Sequence, residues 1–138
     1  MSVFERSISG TVRTRLQKLL EMLSGDPPTP EEQKLHLELV QRARGEVAAG
    51  HGELLRLLAP TAAADALGDP ERIAAYAETL ATEALLCEVA GQLDRAEALR
   101  RQAVIFAREA QRRARVPDAA IDRLIADQGR LHVPPRRD

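Results

Sequence analysis

Aromatic side chains are almost missing from this chain. Phe4, Phe106 and Tyr76 make up the whole set, there is no Trp, and aromatics are 2% of 138 residues. Ala and aliphatic residues therefore supply nearly all of the 44% hydrophobic fraction. Such a core suits helices that approach closely; sheets favour the β-branched and aromatic residues that are scarce here. Cysteine is down to one, Cys87, which excludes an internal disulfide and a cysteine zinc site. A lone thiol fits a reducing cytoplasm. No apolar run approaches the ~18 uncharged residues that span a bilayer. The first ten residues, MSVFERSISG, carry Glu5 and Arg6 where a signal peptide needs an apolar stretch. The expected location is cytoplasmic, with no membrane partner. Lysine is also rare: Lys18 and Lys34 are the only two, and every other basic side chain is Arg.

What is present is helical periodicity. At 100° per residue, Phe4, Ile8, Val12, Leu16, Leu19, Leu20, Met22 and Leu23 share an arc of about 160°. GDPPTP then ends this first helix, because Gly and Pro both oppose its continuation. Thr29-Pro30-Glu31-Glu32 reads as a capping box with Pro at the first helical position. It opens a second helix on which Leu35, Leu39, Ala43 and Val47 are spaced to share a face. Gly45 weakens that helix, and Gly50-His51-Gly52 ends it. ELLRLLA forms a short helix up to Pro60, and TAAADALG adds a turn. Asp69-Pro70-Glu71 repeats the cap-then-proline start. There follow Ile73, Ala77, Leu80, Ala84 and Cys87 on one face, with Tyr76 at its margin. Gly91 breaks the pattern before a long helix over about 94–115, striped by Leu99, Ala103, Phe106 and Ala110. Pro117 and Asp118 start a last short helix carrying Ile121, Leu124 and Ile125.

These spacings predict one all-α domain over residues 1–130, built from antiparallel hairpins of about five to six helices, with a flexible tail at 131–138. A chain of this length suits one domain, since domains commonly run to roughly 100–150 residues.

CEVAGQLDRAEALRRQA (residues 87–103) carries the sharpest local pattern. Leu80, Ala84, Cys87, Gly91, Leu93, Ala96 and Ala103 stand at the large, small, turn and crossing positions of a helix hairpin. On these residues the stretch from Leu80 to Ala110 resembles a tetratricopeptide repeat. Glu83, Arg100 and Arg108 depart from it, standing where the family has leucine, an aromatic and proline. Glu46-Val47-Ala48 before Gly50 echoes Glu88-Val89-Ala90 before Gly91, a partial second copy separated by an insertion around TAAADALGD. The chain is also similar to short bacterial proteins of this repeat-like kind that begin with an FER-type amphipathic helix. The resemblance implies a right-handed array of helix hairpins, and by fold analogy a surface that recognises protein or peptide.

Chemistry is sparse. His36, His51 and His132 have no His, Cys or carboxylate three or four residues further on, as a helical metal site would place one, and are read as surface or turn residues. No phosphate-cradling glycine loop is present. No catalytic residue, metal or cofactor is predicted, and the chain is expected not to be an enzyme. Charge carries more. Residues 1–90 hold 9 Lys/Arg against 14 Asp/Glu; residues 91–138 hold 11 Arg against 7 Asp/Glu. Arg101, Arg108, Arg112 and Arg115 fall within about 60° of one another, opposite the Leu99–Phe106 stripe. Such a row suits an acidic protein or peptide, with Tyr76 as a rim contact. Glu97–Arg101 and Glu109–Arg113 are also spaced to pair along the helix, which would make the row a solvated face. Nucleic acid is the alternative partner, but the missing aromatics and the acidic first part argue against it. A small-ligand-binding bundle is a further alternative. The apolar surface of the first helix, with Arg15 projecting among its leucines, offers a homodimer contact.

Overall fold

The computed structural model describes residues 3–49 and 51–131, with side chains from Ile8 onward. Among the described residues every regular element is helical. They are α1 (Val3–Leu23), α2 (Pro30–Ala48), α3 (Gly52–Leu57), α4 (Pro60–Leu67), α5 (Pro70–Val89), α6 (Leu93–Arg113) and α7 (Ala119–Ala126). Seven helices replace the five or six expected, because Pro60 does more than end one helix. Its fixed φ also opens α4 as a two-turn helix of its own. Phe4 and the predicted tail beyond Leu131 lie outside the described side chains, as does His132. Among the described residues no helix is long and apolar enough to cross a membrane.

Helix starts follow the local chemistry unevenly. Thr29 Oγ1 accepts the Glu32 N–H at 3.2 Å while Glu32 Oε1 accepts the Thr29 N–H at 3.2 Å, so the predicted capping box forms. Asp118 likewise accepts the Ile121 N–H at the start of α7. Asp69 holds the N-cap position of α5, but its side chain makes no capping bond, and its Oδ2 is buried without a partner. Gly91 takes φ +82° at the α5–α6 corner, the left-handed conformation a side chain would resist.

α5 is the centre of the molecule. α6 packs along it, α1 and α2 cover its other sides, and α4 meets its beginning; α7 closes against α6. Ala74, Ala75, Ala77, Ala81 and Ala84 on α5, with Ala96, Ala103, Ala107 and Ala110 on α6, are almost wholly buried. Small side chains at both surfaces let the backbones approach, so α5 is buried on nearly all sides. Its one large aromatic, Tyr76, meets Phe106 edge-on at 4.9 Å.

Two predicted apolar faces are buried only in part. On α2 the buried row is His36, Val40, Ala43 and Val47, while Leu35 and Leu39 stay 54% and 47% exposed. His36 is therefore an interior residue, not a surface one. On α1, Val12, Leu16, Leu19 and Leu20 enter the core as expected, but Met22 points out, 63% exposed. The Val47/Val89 echo is one of sequence alone, for Val47 is buried and Val89 exposed.

Candidate functional site

The arginine row lies where its spacing puts it. Arg101, Arg108 and Arg112 stand on the exposed side of α6, and Arg115 follows just beyond its end. Part of the row is already neutralised. Arg101 meets Glu97 at 2.6 Å, and Arg112 bonds Glu109. Arg113 spans Glu109 at 3.1 Å and Asp65 at 2.7 Å, so both predicted i, i+4 pairs form. The hydrogen bond from Arg112, with that from Arg113, holds the Glu109 carboxyl below its ordinary range. Arg108 and Arg115 make no ion pair among the described residues.

Tyr76 does not join them. It is 7% exposed and lies against Phe106 on the inner side of α6, where burial raises its phenol. The predicted rim contact is a core residue, because the α5 face that carries it is covered by α6.

An open cleft of about 1420 Å³ lies at one end of the molecule, where the beginnings of α5 and α7 meet the end of α6. Its apolar wall includes Leu67, Ala74, Ala110, Val116 and Ile121. The polar wall converges from four helices. Arg13 of α1 bonds Glu78 of α5 and reaches Asp118 Oδ2 at 3.0 Å, clipping α1, α5 and α7 together. Burial opposes the charge on Arg13, but Glu78 and Asp118 more than offset it and hold the guanidinium firmly protonated. Burial pushes Asp118 up, yet its bonds to Arg13 and to the α7 backbone leave it below the usual carboxylate range. Glu78 goes the other way: burial raises it despite Arg13.

Arg72 lines the same cleft but is spent on the backbone. Its Nε donates to the Val47 carbonyl at 2.6 Å, Nη1 to Leu67 at 3.2 Å and Nη2 to Ala49 at 3.5 Å. It thus satisfies carbonyls at the ends of α2 and α4, the cation-favouring ends of both helices. Asp69 and Arg115 also line the cleft; Arg115 is exposed there, while Asp69 Oδ2 is buried. His51 also borders the cleft.

Sequence reasoning missed a second charged cluster. Glu83 is 1% exposed, bonded to Arg44 of α2 and at 2.8 Å to Arg95 of α6. Arg44 also reaches the Thr79 hydroxyl at 3.3 Å and the Thr79 carbonyl at 3.4 Å. A signal existed: Glu83 sits seven residues after Tyr76, three after Leu80 and four before Cys87, all on the buried side. Cys87 itself is buried, and desolvation raises its thiol, so it packs as a small apolar group. Among the described residues no three His, Cys, Asp or Glu side chains are placed to hold a metal ion. Compared with protein-family models, curated proteins and solved structures, the chain finds no match.

Proposed function

We propose that this chain is a non-enzymatic interaction module that takes an acidic segment of a partner protein along the outer face of α6 and into the adjoining cleft. The observation that carries the reading is the pairing of Arg108 and Arg115, neither committed to an internal carboxylate, with an open and half-apolar cleft. An open cleft with the exposed Val116 next to Arg115 suits an extended peptide whose acidic and apolar side chains alternate. The packing order supports the same reading. α1 with α2 and α5 with α6 are consecutive hairpins, and α5 lodges against both helices of the first. That is the order a tetratricopeptide-like pair of hairpins has, with α3 and α4 inserted between them.

The test is capture from nuclease-treated lysate of the source organism, read by mass spectrometry, with wild type beside an R108E/R112E/R115E variant. The expected result is a saturable protein retained by wild type and bound at least tenfold more weakly by the variant, since charge-assisted contacts contribute about 1.5–3 kcal/mol each. Equal retention by both would remove the arginine face from the reading.

A second reading rests on the polar wall of the cleft. Asp69 and Arg115 there suit a small molecule carrying both a donor and an anionic group, which a thermal-shift screen with amino acids and their derivatives would reveal.

A further inference from the structure

The exposed leucines of α2 are ordered in a way that core packing does not require. Along one line of the helix come Glu32, Leu35, Leu39 and Arg42, spaced three, four and three residues apart, and all four are exposed. This 3–4–3 spacing is the seam along which two helices pack side by side. Read backwards, the order is base, leucine, leucine, acid. A two-fold axis passing between Leu35 and Leu39 would therefore set each Leu35 against the partner's Leu39. It would set each Glu32 against the partner's Arg42. The row is complementary to itself in charge and in apolar character, which is the condition an isologous interface must meet.

The flanking groups are able to make those contacts. Arg42 has no ion pair among the described residues. Glu32 uses Oε1 for the Thr29 N–H, leaving Oε2 for a guanidinium. Arg15 of α1 bonds Glu46, the next residue along the same line of α2, at 3.1 Å. A second α2 laid on this line would cover Leu35 and Leu39 together.

We infer that the chain forms a two-fold homodimer through antiparallel pairing of α2, with Leu35 and Leu39 at its centre and Glu32–Arg42 bridges at its ends. The apolar arc of α1 is not the seam, because Val12, Leu16, Leu19 and Leu20 are consumed in the protein's own core. One helix pair is a small interface, so the dimer is a reversible one that forms at micromolar concentration or above.

Sedimentation equilibrium from about 5 µM to 1 mM tests it, a span covering the weak affinities such interfaces reach. Wild type is expected to pass reversibly from monomer to dimer. Leu35→Glu with Leu39→Glu should leave a monomer throughout, with unchanged helical circular dichroism because neither side chain is in the core. The charge rule has its own test. Arg42→Glu alone sets Glu against Glu, and Glu32→Lys alone sets Lys against Arg, so each should dimerise at least tenfold more weakly. Mixed in equal amounts, the two variants restore both bridges and should form a heterodimer. A wild type that stays monomeric to 1 mM would overturn the inference. So would a dimer indifferent to the leucine substitutions, or a mixture no tighter than its components. A wild type that remains monomeric while holding a different protein on this side of α2 would likewise overturn it.

Discussion

Glu83 shows what a single residue can cost or contribute in this core. Its carboxylate is buried between a half-buried Arg44 and the more exposed Arg95, so Glu83 and Arg44 depend on each other for the solvation they lack. Glu83→Ala would leave the Arg44 guanidinium short of its anion inside the protein. Breaking a buried pair in this way costs about 3–5 kcal/mol, and the loss should be read as a lowered urea midpoint with an unchanged slope. Arg95→Ala should cost far less, because Arg95 is half in water and Glu83 keeps Arg44. Equal losses would show that the Arg44 bond contributes little. Sequence marked Glu83 as an oddity where the repeat pattern has leucine, yet it could not supply Arg44. That partner is 39 residues away on a helix whose docking to α5 depends on the whole fold.

At the scale of the element, α2 explains where periodicity stops being sufficient. Leu35 and Leu39 are the larger side chains, and the spacing that links them to Ala43 and Val47 is a sound helical one. The spacing through His36, Val40, Ala43 and Val47 is equally sound, and it is the one buried. The partner surface decides. α5 holds α2 by Arg72 on the Val47 carbonyl and by Thr79 and Glu83 on Arg44, so the face beside Arg44 and Val47 is the one docked and Leu35 and Leu39 are left outside. Caps and corners, by contrast, were legible because their chemistry is local: Thr29 with Glu32, Asp118 with Ile121, Gly91 with its positive φ. The corner after α7 was not, since its constraint comes from another helix. Gly129 has φ +83°, and a Cβ there would stand 2.7 Å from the Arg100 carbonyl oxygen. Gly129→Ala must therefore strain the backbone and push α7 from α6. The conformation alone costs about 1–2 kcal/mol, and faster amide exchange in α7 than in α5 should locate the damage. Unchanged α7 protection would show that the corner shifts without loosening its helix.

The same contrast governs the whole molecule. Helix content and the arginine face could be read from spacing alone, whereas the cleft could not, because its walls come from α1, α5, α6 and α7 and exist only once these meet. The clip that joins three of those helices, Arg13 with Glu78 and Asp118, also makes stability depend on pH. Asp118 is held below its ordinary value in the folded chain, so it binds a proton less readily than when unfolded. Its contribution is complete above the unfolded carboxylate range, about pH 4, and is lost as the pH falls through the folded value. Glu109 and Glu32, both lowered, act in the same direction. Glu78, raised by burial, has the opposite sign: lowering the pH through its folded value favours the folded state until the unfolded carboxyl also protonates. The variant that isolates the clip is Asp118→Asn, which keeps an acceptor for the Ile121 N–H and removes only the titrating charge. It should be less stable than wild type at pH 7. Its urea midpoint should fall less between about pH 5 and pH 3, so that the two curves converge at the acid end. Parallel curves would mean that the Asp118 charge adds nothing to the clip, and that Glu78 alone holds Arg13 across the cleft.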